Sequence, residues 1–294
     1  IEELHQDLDK IADKETPEYS RELLEELVSM SPDAMKLQTV EHLPSERKEN
    51  KRDININIYI KQAKDLLNNN DLEQAIQCLT QVLEIESNNY KAFYYLGCVY
   101  VKKDNIPKAK EFFLKTIEIN PKYIYAYINL ANMLCDAGSS KDAIPYYEKV
   151  LQFDNKNIMA NFNMATALED SGKMLEALDF YEKSVAIAPE DENISFHMAK
   201  ALHKTDFFDD AIYFLNRTIE LDPSHAQAYY YLAMCEYELG FFYESQVNIQ
   251  TALLLDPLLT EAYKYLGLMD FEAEVYERAI ESFKLYLKKF PKDL

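Results

Sequence analysis

The sequence has no tryptophan, five glycines, four cysteines and no surplus of basic residues. Each shortage removes a class of function. Thirty-one Lys and Arg stand against 51 Asp and Glu, a net charge of −20. Nucleic acids and anionic lipid both call for a basic surface, so neither is an expected partner. No apolar run approaches the ~18–20 residues that cross a bilayer, and no basic-then-apolar leader opens the chain. Direct membrane insertion is therefore not expected. The first residue is Ile1 rather than Met, which is compatible with a removed leader. The cysteines, Cys78, Cys98, Cys135 and Cys235, lie 20, 37 and 100 residues apart and form no CxxC pair or metal knuckle. They read as free thiols, buried or half-buried, in a reducing compartment, and the expected location is cytoplasmic.

Catalytic and metal chemistry is equally short of material. Glycine is too scarce for a phosphate loop, and no GxSxG pattern or Cys with a local base occurs. Of the five histidines, His197 and His203 are six apart on one predicted helix, which is not a same-face spacing for a shared metal. Asp209-Asp210 opens a predicted helix, where the pair complements the helix dipole. The expectation is a non-enzyme without metal or cofactor.

What is present is a period. Gly138 and Gly172 are 34 residues apart, and Gly97 and Gly267 are five times 34 apart. Pro121, Pro189, Pro223, Pro257 and Pro291 are separated by 68, 34, 34 and 34. A fixed period of this size marks a repeat protein. With proline at position 32, seven gapless units begin at Ile56, Tyr90, Ile124, Ile158, Glu192, Ala226 and Thr260, covering 238 of 294 residues. Position 8 is Ala63, Gly97, Ala131, Ala165, Ala199, Ala233, Gly267, and position 20 is Ala75, Ala109, Ala143, Ala177, Ala211, Ser245, Ala279. Position 24 is bulky throughout, from Leu79 and Phe113 to Phe283. Position 15 is Gly, Asn or Asp in six units, with Glu274 the exception.

These regularities predict two helices per unit, over positions of about 1–14 and 18–31. The residue at 15 suits the left-handed backbone that ends a helix. Small residues at 8 and 20 let the two helices approach, the bulky residue at 24 fills the space beside them, and proline at 32 stops the second helix. One such hairpin cannot bury its own apolar face, but a stack of seven can.

Units two and three carry a family resemblance through Phe93, Leu96, Gly97, Tyr100, Ala109, Phe113, Pro121 and Tyr127, Leu130, Ala131, Leu134, Ala143, Tyr147, Val150. The chain resembles the tetratricopeptide repeat family. The resemblance implies an all-α fold, a right-handed α-solenoid of seven helix-turn-helix units with a helical N-terminal extension. Departures from the family pattern are local. The family's Trp at position 4 is Tyr or Phe in five units and Asn161 or Ser195 in units four and five, where looser packing is expected. Pro145 falls inside the second helix of unit three and is expected to bend it.

Residues 1–55 do not fit the repeat and form the first of two domains, ahead of the solenoid at 56–293. Leu4, Leu8 and Ile11 make a helical stripe, Thr16-Pro17 starts a second helix and Ser31-Pro32 stops it. Residues 44–53, PSERKENKRD, read as a polar linker. This acidic extension is expected to cap unit one, or else to occupy the groove or meet a second subunit. The chain ends one residue beyond the last unit, which is expected to leave Phe283, Tyr286 and Leu287 open, a further route to self-association.

In the family the first helices line a concave groove, so the resemblance implies that positions 2, 5, 6, 9, 12 and 13 face a ligand. The candidate peptide-binding residues are Lys61, Lys64, Lys91, Tyr94, Tyr95, Tyr125, Asn129, Asn132, Asn163, Lys200, Tyr230 and Tyr231. Asn129 and Asn163 resemble, weakly, the asparagine ladder of the O-linked GlcNAc transferase superhelix. Asparagine can donate to and accept from an extended peptide backbone. The carboxylate clamp of chaperone adaptors is disfavoured, because units three to five offer Asn132 and Asn163 but Ile128, Asn193 and His197 at its basic positions. Lys61, Lys64, Lys91 and Lys102 gather in units one and two, while Asp136, Glu169 and Asp170 lie in units three and four. The expected function is an interaction scaffold or adaptor that holds a peptide or helix of a protein partner in this concave groove, with an acidic portion near units one and two and a basic or apolar portion beyond. Alternatives are a chaperone, of secretion type or another, for a partly unfolded client, and the substrate-recruiting part of a larger enzyme.

Overall fold

The computed structural model describes residues 45–292, with side chains from residue 55 onward. The helices expected within residues 1–31 lie outside the described residues. Fourteen helices and no strand occur among the described residues. They are α1 (Ser45–Asn68), α2 (Leu72–Ile85), α3 (Tyr90–Lys102), α4 (Ile106–Ile119), α5 (Ile124–Asp136), α6 (Ser140–Phe153), α7 (Ile158–Asp170), α8 (Met174–Ile187), α9 (Glu192–Lys204), α10 (Phe208–Leu221), α11 (Ala226–Glu238), α12 (Phe242–Leu255), α13 (Ala262–Glu272) and α14 (Tyr276–Lys289). The chain separates into two compact units, Ile1–Asn55 and Ile56–Leu294. Residues 45–53, expected as a linker, are helical instead. Glu, Lys and Arg are good helix formers, and polarity alone does not make a loop.

In Ile56–Leu294 each of α4, α6, α8, α10 and α12 packs on the odd-numbered helix before it and on the one after it, α2 packs on α3 and α14 on α13, which produces a stack of hairpins. The local chemistry repeats. Asn89, Asn157 and Asp191, all at position 34, accept hydrogen bonds from Ala92, Ala160 and Ile194 N–H at the start of the next first helix. At the other end of the first helices position 15 is left-handed in all seven units. The residues are Asn70, Asp104, Gly138, Gly172, Asp206, Gly240 and Glu274, the last at φ 60°. Position 15 thus needs this backbone even where the residue is a poor choice for it. The turn is closed by paired bonds, as from Gly138 N to Cys135 O and Ser139 N to Leu134 O, both 2.8 Å.

The core follows the small and bulky positions. Alanines at 8 and 20 are buried in every unit that has them, and so are Leu79, Phe113, Tyr147, Tyr181, Leu215 and Ile249 at 24. Helix α6 runs through Pro145 for 14 residues, the same length as its counterparts α4 and α8. Asn161 is buried, and its amide donates to Asn155 O and Asn157 O. Ser195 is buried too, and its Oγ has no partner among the described residues. In the last unit Phe283 turns against Gly267 and Tyr286 is buried, so the exposed apolar side of α14 is Tyr276, Ile280 and Leu285 rather than Phe283, Tyr286 and Leu287.

Candidate functional site

Successive first helices also touch one another, α3 with α5, α5 with α7 and α9 with α11. Elements that reach their second neighbours lie on the inner side of a curved stack. The first helices therefore make a continuous inner face.

That face is stitched across units by side chains 31 or 35 residues apart. Asn129 Nδ2 donates to Tyr94 Oη at 3.1 Å, and it lies 3.4 Å from Cys98 Sγ. Asn163 Nδ2 donates to Asn132 Oδ1 at 2.8 Å, and Tyr147 Oη donates to the same oxygen at 2.6 Å. Glu169 accepts from Tyr181 Oη at 2.8 Å and pairs with Lys204. Tyr237 Oη donates to Glu272 at 2.7 Å. Position 5 thus meets position 6 of the next unit, 9 meets 6, and 12 meets 13.

Burial sets the protonation states. It pushes the phenols of Tyr94, Tyr147, Tyr181 and Tyr230 above the ordinary tyrosine range, so all four remain neutral. It raises the Cys98 thiol to about 11, which leaves an unreactive thiol rather than a nucleophile. Burial opposes ionisation of Glu169, but the Lys204 and Tyr181 hydrogen bonds outweigh it and hold the carboxyl below its usual range. His197 is held neutral by burial and by Lys200. All four cysteines are free. Among the described residues no cluster of His, Cys, Asp and Glu could hold a metal, and no helix is long and apolar enough to cross a membrane.

The predicted residues divide into connected and isolated groups. Tyr94, Tyr95, Asn129, Asn132, Asn163, Lys200, Tyr230 and Tyr231 are half-buried, and most contact one another. The Tyr94 ring lies 5.1 Å from Tyr95, the Tyr230 ring 5.3 Å from Tyr231, and Lys200 Nζ 6.0 Å from the Tyr231 ring. Lys61, Lys64 and Lys91 are exposed and make no ion pair among the described residues. Tyr125, 56% exposed, reaches only the ring of Tyr123, at 5.5 Å. Lys102 caps α1 by donating to Leu67 O at 2.7 Å. Sequence reasoning missed Tyr123, which packs on Tyr90 and Tyr94, and missed Lys204 as the partner of Glu169. The spacing of 35 was the sequence signal for the second.

Comparison with known proteins agrees with this geometry. Residues 12–188, more than half of the chain, match the family described as Protein kinase G tetratricopeptide repeat. The chain belongs to the tetratricopeptide repeat family. Residues 197–242 match the general tetratricopeptide repeat description. Tetratricopeptide repeat protein 37 of Xenopus laevis is 28% identical over 74 residues, 25% of this chain and 5% of that protein. Superkiller complex protein 3 of Mus musculus is 28% identical over 85 residues, 28% of this chain and 5% of that protein. The chain thus spans about 5% of the length of the curated relatives it matches. Among solved structures, YrrB, a tetratricopeptide repeat protein with an unusual peptide-binding site, is similar at 25% identity and a TM-score of 0.54, over 63% of this chain and 95% of that one. PilF of Pseudomonas aeruginosa shares the fold, with 18% identity and a TM-score of 0.64 over 76% of this chain and 99% of that one. The family fold is a protein-protein interaction scaffold.

Proposed function

We propose that the inner face of the first helices holds an extended segment of a protein partner, and that the chain acts as a scaffold without catalysing a reaction. The carrying observation is the row of half-buried polar side chains at positions 5, 6 and 9. The Asn129 amide is spent on Tyr94 and Cys98 of the unit before, and the Asn163 amide donates to Asn132. Both side chains keep a carbonyl oxygen that can accept from the N–H groups of an extended backbone. Half-buried tyrosines beside them supply rigid area of the kind that dominates binding energy. YrrB, with its peptide-binding site, supports this reading. The exposed lysines 61, 64 and 91 orient the segment with its acidic end at units one and two.

An arrayed library of extended peptides graded in acidic content tests the reading. Peptides with an acidic leading half should bind best. The Lys61→Glu/Lys91→Glu double variant should weaken them about tenfold, as rim-charge reversal does, while sparing neutral peptides. Unchanged affinity for the acidic peptides refutes the assigned orientation. No saturable binding by any peptide refutes the groove.

A further inference from the structure

A second site lies away from the groove, at the junction of units three and four. In unit three the position-4 residue, Tyr127, is buried among Ile117, Tyr146 and Phe153, and its Oη donates to Pro121 O at 3.0 Å. In unit four position 4 is Asn161. Its amide donates to Asn155 O at 3.1 Å, which is the equivalent carbonyl one repeat later. The hydrogen bond is kept and the ring is gone. In its place is an open hollow of about 450 Å³, lined by Leu151, Phe180, Ala186 and Ile187 with Asn161 beside them. Leu151, Phe180 and Ile187 are the one-repeat counterparts of Ile117, Tyr146 and Phe153. The hollow is therefore walled by the residues that surround an aromatic ring in the unit before, and its volume falls in the range of ligand sites.

The next unit shows how such a gap can be closed. Position 4 there is Ser195, smaller still, yet Arg217 reaches across and donates through Nε to Pro189 O at 2.9 Å. The counterpart of Arg217 in unit four is Lys183, which folds over the Phe180 ring at 4.1 Å. Lys183 and Lys156 edge the hollow, both are exposed, and neither pairs with a carboxylate among the described residues. Two unpaired cations at an apolar hollow, on a chain of net charge −20, define the occupant by charge complementarity.

We propose that this hollow takes an aromatic side chain flanked by carboxylates, carried on a protein partner, and that it works independently of the groove. The ring would fill the position-4 vacancy, and the flanking carboxylates would meet Lys156 and Lys183. The absence of tryptophan makes the test direct, because any indole emission comes from the probe. The probe is the pentapeptide acetyl-Asp-Asp-Trp-Asp-Asp-amide, titrated with the full chain under selective indole excitation. A saturable blue shift is expected. Asn161→Tyr places in unit four the residue that unit three already accommodates, so it should keep thermal stability while weakening the probe at least about tenfold, the usual loss when an anchor pocket is filled. Lys156→Glu/Lys183→Glu should weaken it about tenfold, and Tyr231→Ala in the groove should leave it unchanged. The absence of a saturable shift, full binding by Asn161→Tyr, or loss of binding in Tyr231→Ala would each overturn the proposal.

Discussion

Gly97 sits in the middle of α3, where ordinary reasoning says that alanine is better. Replacing glycine by alanine in a helix interior gains about 0.5–1 kcal/mol. Five of the seven units do have alanine at this position. Here, however, a Cβ would lie 2.5, 2.7 and 3.0 Å from three ring carbons of Phe113, which is fully buried in the same unit. The ring is enclosed, so either it or α3 must shift to the wider spacing that units three and four already have, where Ala131 and Ala165 stand with buried Tyr147 and Tyr181. Forcing a methyl group into a packed core costs about 1–3 kcal/mol. The balance predicts that Gly97→Ala destabilises unit two by about 1–2 kcal/mol, against its helix propensity. Phe113→Leu alone should also cost about 1–2 kcal/mol through the cavity it leaves. The double change reproduces the Ala and Leu pairing of units one and five, Ala63 with Leu79 and Ala199 with Leu215, and should be less damaging than the two effects added, with a coupling of about 1–2 kcal/mol. A seven-repeat stack need not unfold in one step, so the assay is amide exchange read on α3 and α4. Gly97→Ala protection at or above that of the parent, or additivity in the cycle, would refute the packing argument.

Three further expectations concern single groups. Glu274→Gly should stabilise the last unit by about 0.5–1 kcal/mol, because a left-handed φ of 60° strains a residue with a side chain; thermal unfolding followed by circular dichroism measures it, and a lower midpoint refutes it. Asp270 is buried, with one oxygen near Arg278 and Gln246 and the other without a partner among the described residues. Asp270→Leu, which restores the residue type of units three to five, should therefore stabilise by about 1 kcal/mol, whereas Arg278→Ala should destabilise by leaving the buried charge uncompensated; the two changes having the same sign in urea melts would count against this. Burial raises the Glu236 carboxyl despite its bonds from Asn248, so the folded chain holds that proton more tightly than the unfolded one. Its stabilising contribution is complete below the ordinary carboxylate range, about pH 4.3, and is lost as pH rises through the higher folded value. Glu169, held low, contributes in the opposite sense and loses its contribution as pH falls. Glu236→Gln should thus flatten the loss of stability above that range, and a melting profile identical to the parent's would refute the assignment.

The repeat was legible in the sequence because each special residue answers a local demand that recurs every 34 residues. Position 15 illustrates the strength of that demand. Glu274, which broke the sequence pattern, takes the same left-handed backbone as the three glycines at that position. The inner face was legible only in outline. Periodicity placed Asn129, Asn132 and Asn163 on it, but the bonds of Asn129 to Tyr94 and of Asn163 to Asn132 depend on first helices of adjacent units touching. That contact shows in the sequence only as spacings of 31 and 35, which differ from the repeat length. Asn161 was read correctly as a departure, but not as a residue that keeps a hydrogen bond. The amide restored the lost hydrogen bond, and the missing volume appeared beside it rather than around it. The polar stretch at 45–53 misled because charge density separates exposed from buried, not helix from coil.

The stitches along the inner face have a mechanical meaning. Each ties one first helix to the next by one or two polar bonds, as Asn163 to Asn132 and Lys204 to Glu169 do. The same side chains are the ones a bound segment would address. The Asn163 amide, which donates to Asn132, is the tie between units three and four and also lies on the face a segment would occupy. A segment that competed for these bonds would therefore act on the spacing of the repeats as well as on its own affinity, and one that spared them would find the inner face already set.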